Sequence, residues 1–159
     1  MLIFSIPLIL LLIVIDYSSK LYIKSILTNE YIMINNYISF QIFYNKGVAF
    51  SIFNSESIII NYLILLIIIF IIGFIINIFY KTYINICKAE KLSYILILGG
   101  ALGNLLDRII NGSVLDFIII GYKDYYFPAI FNLADIFIST GVFIMLIIYL
   151  IYPNYDHKI

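Results

Sequence analysis

Four long stretches of this chain carry no Asp, Glu, Lys or Arg: Met1 to Ile15, Ser57 to Tyr80, Leu92 to Leu106 and Ile136 to Tyr155. With its flanks each can build a helix of ~20 residues, enough to cross ~30 Å of hydrocarbon. The pattern predicts spans at roughly 2–23, 58–79, 92–109 and 129–152, and so one integral-membrane domain over 1–159. The expected fold class is an all-α polytopic membrane protein. Between the first two spans, Tyr37-Ile38-Ser39-Phe40-Gln41-Ile42 alternates apolar and polar positions as a half-buried strand does. Asn35-Asn36 before it can turn the chain back on Tyr31 to Ile34, which predicts a small β element at the interface. Gly112 to Pro128 is apolar around Asp116 yet too short to span; it is expected in or just under the interface, buried in protein or facing a watery cavity.

Composition sharpens this picture. The chain is 64% hydrophobic and 11% charged, with a mean hydropathy of +1.11, far from a soluble globular domain. The first span lacks a preceding basic residue and a following small-residue cleavage site, so it is expected to be retained rather than removed as a leader. Nine basic and nine acidic residues cancel, which gives no reason to expect a nucleic-acid partner. Cys87 is the only cysteine and His157 the only histidine, so neither an internal disulfide nor a cysteine-rich metal site is available. Both read as ordinary residues, Cys87 in a short basic loop and His157 in a polar tail. No metal and no cofactor is expected.

Parity then gathers the polar groups. In four antiparallel spans, the end of the first, the start of the second, the end of the third and the start of the fourth share one side of the membrane. That side receives Asp16, Lys20, Asn45, Asn104, Asp107, Arg108, Asp116, Asn132 and Asp135. Ionisable groups within apolar spans are costly and usually turn inward toward partners or water. The alternative, that each marks a helix end at the headgroups, stays open for Asp16, Lys20 and Lys24. It fits poorly for Asp135, between Leu133-Ala134 and Ile136-Phe137-Ile138, and for Asp116 within its apolar run. Helical spacing pairs Asp16 with Lys20 and groups Asn104, Asp107 and Arg108 at i, i+3 and i+4; Arg108 is expected to pair with Asp107 rather than sit unpaired. Gly99 and Gly103 form a GxxxG step that predicts close packing of the third span, while GGALGN lacks the pattern of a phosphate loop.

Without a Cys/His cluster or a Ser/His/Asp set, the chemistry on offer is that of carboxylates, and Asp116 and Asp135 are the candidate pair. Two carboxylates close together in a low-dielectric pocket do not both ionise easily, so one keeps a proton and the pair titrates as a unit. A base and an acid result, which suffices to hydrolyse a peptide.

At this point the residues match a known pattern. The chain resembles the bacterial lipoprotein signal peptidases, also called signal peptidase II. The likeness runs through Asp16-x-x-Ser19-Lys20, Asn45-x-Gly47-x-Ala49-Phe50, Gly99-Gly100-x-x-Gly103-Asn104-x-x-Asp107-Arg108, Val114-x-Asp116-Phe117 and Phe131-Asn132-x-Ala134-Asp135. Tyr17 departs from it, standing where the family often has glutamine. The resemblance implies four transmembrane helices with a small extramembrane β-cradle between helices 1 and 2, and an aspartic endopeptidase whose dyad is Asp116 and Asp135. It implies that Asp16, Lys20, Asn45, Gly100, Asn104, Asp107, Arg108, Asn132 and Ala134 bind substrate or support the site. The implied substrate is a prolipoprotein signal peptide whose following cysteine bears a diacylglyceryl group, cut immediately before that cysteine. Membrane lipid is the other expected partner, and a monomer is expected. The loop from Asn45 to Phe50, with Gly47 as hinge, is expected to clamp over the peptide.

Charge alone barely orients the chain. Lys81, Lys88, Lys91 and Lys158 lie on one side, against Lys20, Lys24, Lys46, Arg108 and Lys123 on the other. The resemblance implies the bacterial cytoplasmic membrane, both termini cytoplasmic and the active site near the outer leaflet. Two rival readings remain: a small proton- or cation-coupled transporter, which predicts paired halves or broken helices, and an assembly subunit, which predicts that both aspartates tolerate amidation.

Overall fold

Lipid offers backbone amides no partners, so apolar runs of this length resolve into helices. The computed structural model describes residues 2–27, 31–47, 58–123 and 125–151. A 3-10 turn at Leu2–Phe4 leads into α1 (Ile6–Ile26); α2 is Ile58–Thr82, α3 Lys88–Asn111 and α4 Leu133–Ile151. All four are long and apolar enough to cross a membrane. Helix α3 starts at Lys88, ahead of the expected Leu92, because Glu90 caps it: its carboxylate accepts the Cys87 amide hydrogen at 3.0 Å. Helix α4 starts at Leu133, not near Ala129, and its expected end at Tyr152 lies outside the described residues. So do Val48 to Phe50 and His157.

The β element is larger than expected and differently placed. Strands β1 (Ile32–Met33), β2 (Ile38–Asn45), β3 (Val114–Tyr122) and β4 (Tyr125–Phe131) form one antiparallel sheet in that order. The expectation of an all-α chain with a cradle between helices 1 and 2 is therefore corrected: that connection supplies β1 and β2, and the α3–α4 connection supplies β3 and β4. Residues Val114 to Ile118 of β3 are all buried, so the strand shows a continuous apolar run in place of alternation. Strand β4 is an edge, a position that tolerates Pro128, and its register against β3 shifts between Ile119 and Gly121. The β1–β2 turn is held by Asn35, whose Oδ1 accepts the Tyr37 and Ile38 amide hydrogens at 2.8 and 2.9 Å.

Helix α3 touches the other three helices, and glycines permit it. A Cβ on Gly99 would stand 2.6 Å from Leu12 Cδ1, and one on Gly103 2.9 Å from Asp16 Oδ2, so the GxxxG step faces α1. Gly100 faces α4, where a Cβ would collide with the Ala134 carbonyl oxygen, and a Cβ on Gly141 of α4 would stand 2.7 Å from the Ser93 carbonyl oxygen. At the far end, Phe79 of α2 stacks on Tyr94 of α3 with centroids 4.8 Å apart.

Near the sheet the helices are joined by charge. Lys20 of α1, 3% exposed, places its Nζ 2.7 Å from Asp16 Oδ2 and 3.0 Å from Asp107 Oδ2 of α3, and donates to Asn104 Oδ1 at 3.1 Å. Asp16 Oδ1 accepts the Ala134 amide hydrogen in the first turn of α4 at 2.9 Å. Asp107 Oδ2 also accepts the Leu115 amide hydrogen of β3 at 3.1 Å. One ammonium thus ties together α1, α3, α4 and β3.

This packing sets the stability expected of three variants. Lys20→Met leaves Asp16 and Asp107 buried without their cation, and thermal unfolding in detergent is expected to show a loss of about 3–5 kcal/mol. Gly100→Ala drives a methyl into the backbone of α4 and is expected to cost about 1–3 kcal/mol in the same assay. Gly73→Ala, where nothing lies within 4 Å, is expected to leave stability unchanged or raise it.

Candidate active site

Asp116 sits on β3 and Asp135 in the first turn of α4, both where the sheet meets the helices. Asn132 precedes α4, and its Oδ1 accepts the Asp135 amide hydrogen at 2.9 Å while Asp135 Oδ2 accepts the Asn132 amide hydrogen at 3.1 Å. This reciprocal cap closes the helix start and fixes the Asp135 carboxylate at the same time. It is the local reason that the chain turns from strand to helix at Asn132.

Side-chain amides hold what remains. Asn132 Nδ2 donates to Asp116 Oδ1 at 2.7 Å and to Asn104 Oδ1 at 3.1 Å, and Asn132 is fully enclosed. Asn104 Nδ2 donates to Asp135 Oδ1 at 2.9 Å. Asn45 Nδ2 donates to Asp116 Oδ2 at 3.1 Å, while its Oδ1 accepts the Gly47 amide hydrogen at 3.0 Å. Each oxygen of each carboxylate therefore receives at least one neutral donor. Burial, and after it the neighbouring charge of Asp135, pushes the Asp116 carboxyl up to about 6, against the opposing pull of the Asn45 and Asn132 hydrogen bonds.

The other sequence-predicted residues surround this pair at one or two removes. Lys20 reaches Asp135 through Asn104; Asp16 anchors the α4 start through the Ala134 amide; Gly100 and Ala134 are the small residues that let α3 and α4 meet there. Arg108 departs from expectation. Asp107 is taken by Lys20, and Arg108 instead donates to the carbonyls of Lys46 and Gly47, pinning the chain after β2. Asn111 was not singled out in the sequence, yet its Nδ2 donates to Asp107 Oδ1 at 3.1 Å; the i, i+4 spacing from Asp107 was the available signal. Among the described residues, no three His, Cys, Asp or Glu side chains converge in a way that could hold a metal ion.

Comparison with known proteins agrees with this architecture. A family model described as signal peptidase (SPase) II matches residues 8–151. The lipoprotein signal peptidase of Clostridium tetani is 39% identical over 150 residues, covering 92% of each chain. That of Pelagibacter ubique is 34% identical over 150 residues, 92% of this chain and 87% of its own. A solved bacterial membrane enzyme superposes with a TM-score of 0.76 at 26% identity, covering 92% of each chain. A second, at 24% identity and a TM-score of 0.73 over 98% of this chain and 92% of its own, shares the fold. With a family match over nearly its whole length and four helices able to cross a membrane, the chain belongs to the signal peptidase II family and is a multi-pass membrane peptidase.

Proposed function

We propose that this protein is an aspartic endopeptidase that removes the signal peptide from diacylglyceryl-modified prolipoproteins by cutting immediately before the lipidated cysteine. The observation that carries the reading is the shared asparagine: Asn132 hydrogen-bonds both the buried Asp116 and the half-buried Asp135, and among the described residues the donors to their oxygens are neutral. Asp116, raised to about 6 with the charge of Asp135 contributing, is the member that holds the proton, and Asp135 is the base. Asp135 takes a proton from water as its oxygen adds to the scissile carbonyl carbon, and Asp116 gives its proton to the carbonyl oxygen. The proton held by Asp135 then passes to the amide nitrogen as the C–N bond breaks, and the diol proton returns to Asp116.

The substrate's lipid suits this placement. Acyl chains held in the bilayer by ~0.8 kcal/mol per CH₂ bring the neighbouring peptide to headgroup depth, the level at which the strand-to-helix junction of Asp116 and Asp135 stands in this reading. Both termini lie in the cytoplasm and the dyad lies near the outer leaflet. Two observations support that orientation: Lys20 is neutralised by Asp16 and Asp107, and Arg108 is spent on backbone carbonyls, which leaves fewer free cations on the site's side. The transporter reading has less support, since the polar groups close on one another rather than line a path. The protein acts as a single 1–159 domain and as a monomer.

Purified protein incubated with a diacylglyceryl-modified prolipoprotein and its unlipidated twin is expected to cleave the lipidated form. Asp116→Asn and Asp135→Asn are each expected to lower kcat by about 10²–10⁴-fold or more while remaining folded. Full activity in either variant overturns the dyad assignment. The pH dependence has a definite sign. Loss of the Asp116 proton removes the acid, so kcat/KM is expected to fall as pH rises above about 6. The same raised value means that folding favours the protonated form, so its stabilising contribution is complete below the usual carboxylate range and is lost as pH rises through about 6. Melting temperature is expected to fall across that window in the parent and to fall less in Asp116→Asn.

A further inference from the structure

At the hairpin ends of the sheet, a hollow of about 340 Å³ lies between the β1–β2 and β3–β4 turns. Its walls are aromatic: Tyr31, Tyr37, Tyr122 and Tyr126 surround it, with the rings of Tyr37 and Tyr122 stacked at 5.2 Å between centroids. Gly121 makes room for one wall, because a Cβ there would stand 2.6 Å from the Tyr126 ring. Ser39 also lines the hollow and is only 4% exposed, yet its hydroxyl bonds no protein group. Among the described residues Asn61 Oδ1 is the side-chain atom both unpaired and sealed off, so the unpaired Ser39 Oγ keeps open surface, and the hollow is what it opens on. Hydroxyls so deeply placed are almost always paired, so the occupant of the hollow is what answers this one. Asn36 and Lys123 stand at the same rim, and neither has a hydrogen-bond or ion-pair partner; the Lys123 ammonium rests 5.3 Å from the Tyr122 ring centroid.

These groups define the occupant. It carries an anion for Lys123, hydroxyls that donate to and accept from Ser39 and Asn36, and C–H faces for the tyrosine rings. A second cation is unwelcome, since Lys123 already covers Tyr122. Strands β1 and β4 adjoin the ends of α1 and α4, so the sheet starts where the apolar spans stop, at the level where Tyr and Lys concentrate. We propose that the hollow binds the phosphoglycerol headgroup of an anionic phospholipid, with Lys123 on the phosphate and Ser39 and Asn36 on the glycerol hydroxyls. The site is separate from the dyad and independent of the peptidase reading: Ser39 pairs with Ile119, alternation turns both to the face opposite Asp116, and Gly121 lies ~17 Å along β3 from Asp116. A lipid held there ties the strand that bears Asp116 to the headgroup layer.

The experiment titrates the full chain in detergent with short-chain phosphatidylglycerol, with phosphatidylcholine of the same chains, and with free glycerophosphoglycerol, reading Kd by calorimetry. Saturable binding of phosphatidylglycerol is expected, at least tenfold tighter than phosphatidylcholine. Lys123→Gln is expected to raise its Kd about tenfold and to erase the preference, the size of one charged hydrogen bond. Ser39→Ala is expected to raise it about fivefold, the size of a neutral one. Lys24→Gln, on the same side but outside the hollow, is expected to stay within twofold of the parent. If Ser39→Ala fails to fold, Lys123→Gln, in an exposed turn, decides alone. Equal affinity for the two lipids, an unchanged Kd in a folded Lys123→Gln or Ser39→Ala, or an equal loss in Lys24→Gln overturns the assignment. Free glycerophosphoglycerol binding as tightly as the lipid gives the hollow to a soluble phosphate ester and overturns it too.

Discussion

The Lys20 ammonium is 3% exposed among apolar helices, and a cation so far removed from water persists only where carboxylates and dipoles replace its hydration. Its partners come from two helices: Asp16 one turn back on α1, and Asp107 with Asn104 on α3. Each carboxylate also accepts a backbone amide hydrogen from elsewhere, Asp16 from the first turn of α4 and Asp107 from the first residues of β3. The strand that carries Asp116 and the helix that carries Asp135 are therefore both indexed to one buried charge. Glycines at 99, 100 and 103 let the backbones come close enough for these short bonds to form.

This arrangement divides positive charge from the candidate dyad. Lys20 is consumed by Asp16 and Asp107, and Arg108 by two carbonyls, so the direct partners of Asp116 and Asp135 are the neutral amides of Asn45, Asn104 and Asn132 and one backbone N–H. A cation in contact with either carboxylate would favour ionisation of both. Neutral donors orient the oxygens while allowing burial and mutual repulsion to hold Asp116 near 6. Asparagine suits this role because it donates and accepts from one planar group: Asn132 caps α4 through its oxygen and reaches across to Asp116 through its nitrogen.

Much of this was legible in the chain. Apolar run length alone yields four spans, because the bilayer leaves no other backbone solution, and the parity of four spans brings the carboxylates and amides to one side. The Asp16–Lys20 pair and the Gly99–Gly103 step follow from helical periodicity. What periodicity could not reveal was β3, since a strand buried on both faces has no alternation to show, or that Ala129 to Phe131 are strand while Leu133 begins a helix. There the available signal was Asn132-x-x-Asp135, a cap whose meaning depends on its forming.

Only the tertiary structure decided who pairs with whom. In the sequence Asp107 and Arg108 are neighbours; in space Asp107 belongs to Lys20, whose Nζ approaches from another helix, and Arg108 points to the chain after β2. The sequence determined which groups must leave water, because it placed them in or beside apolar segments. Packing determined their partners, because a buried charge takes whichever counter-charge arrives within about 3 Å, and that distance is set by the crossing of helices and strands far apart along the chain.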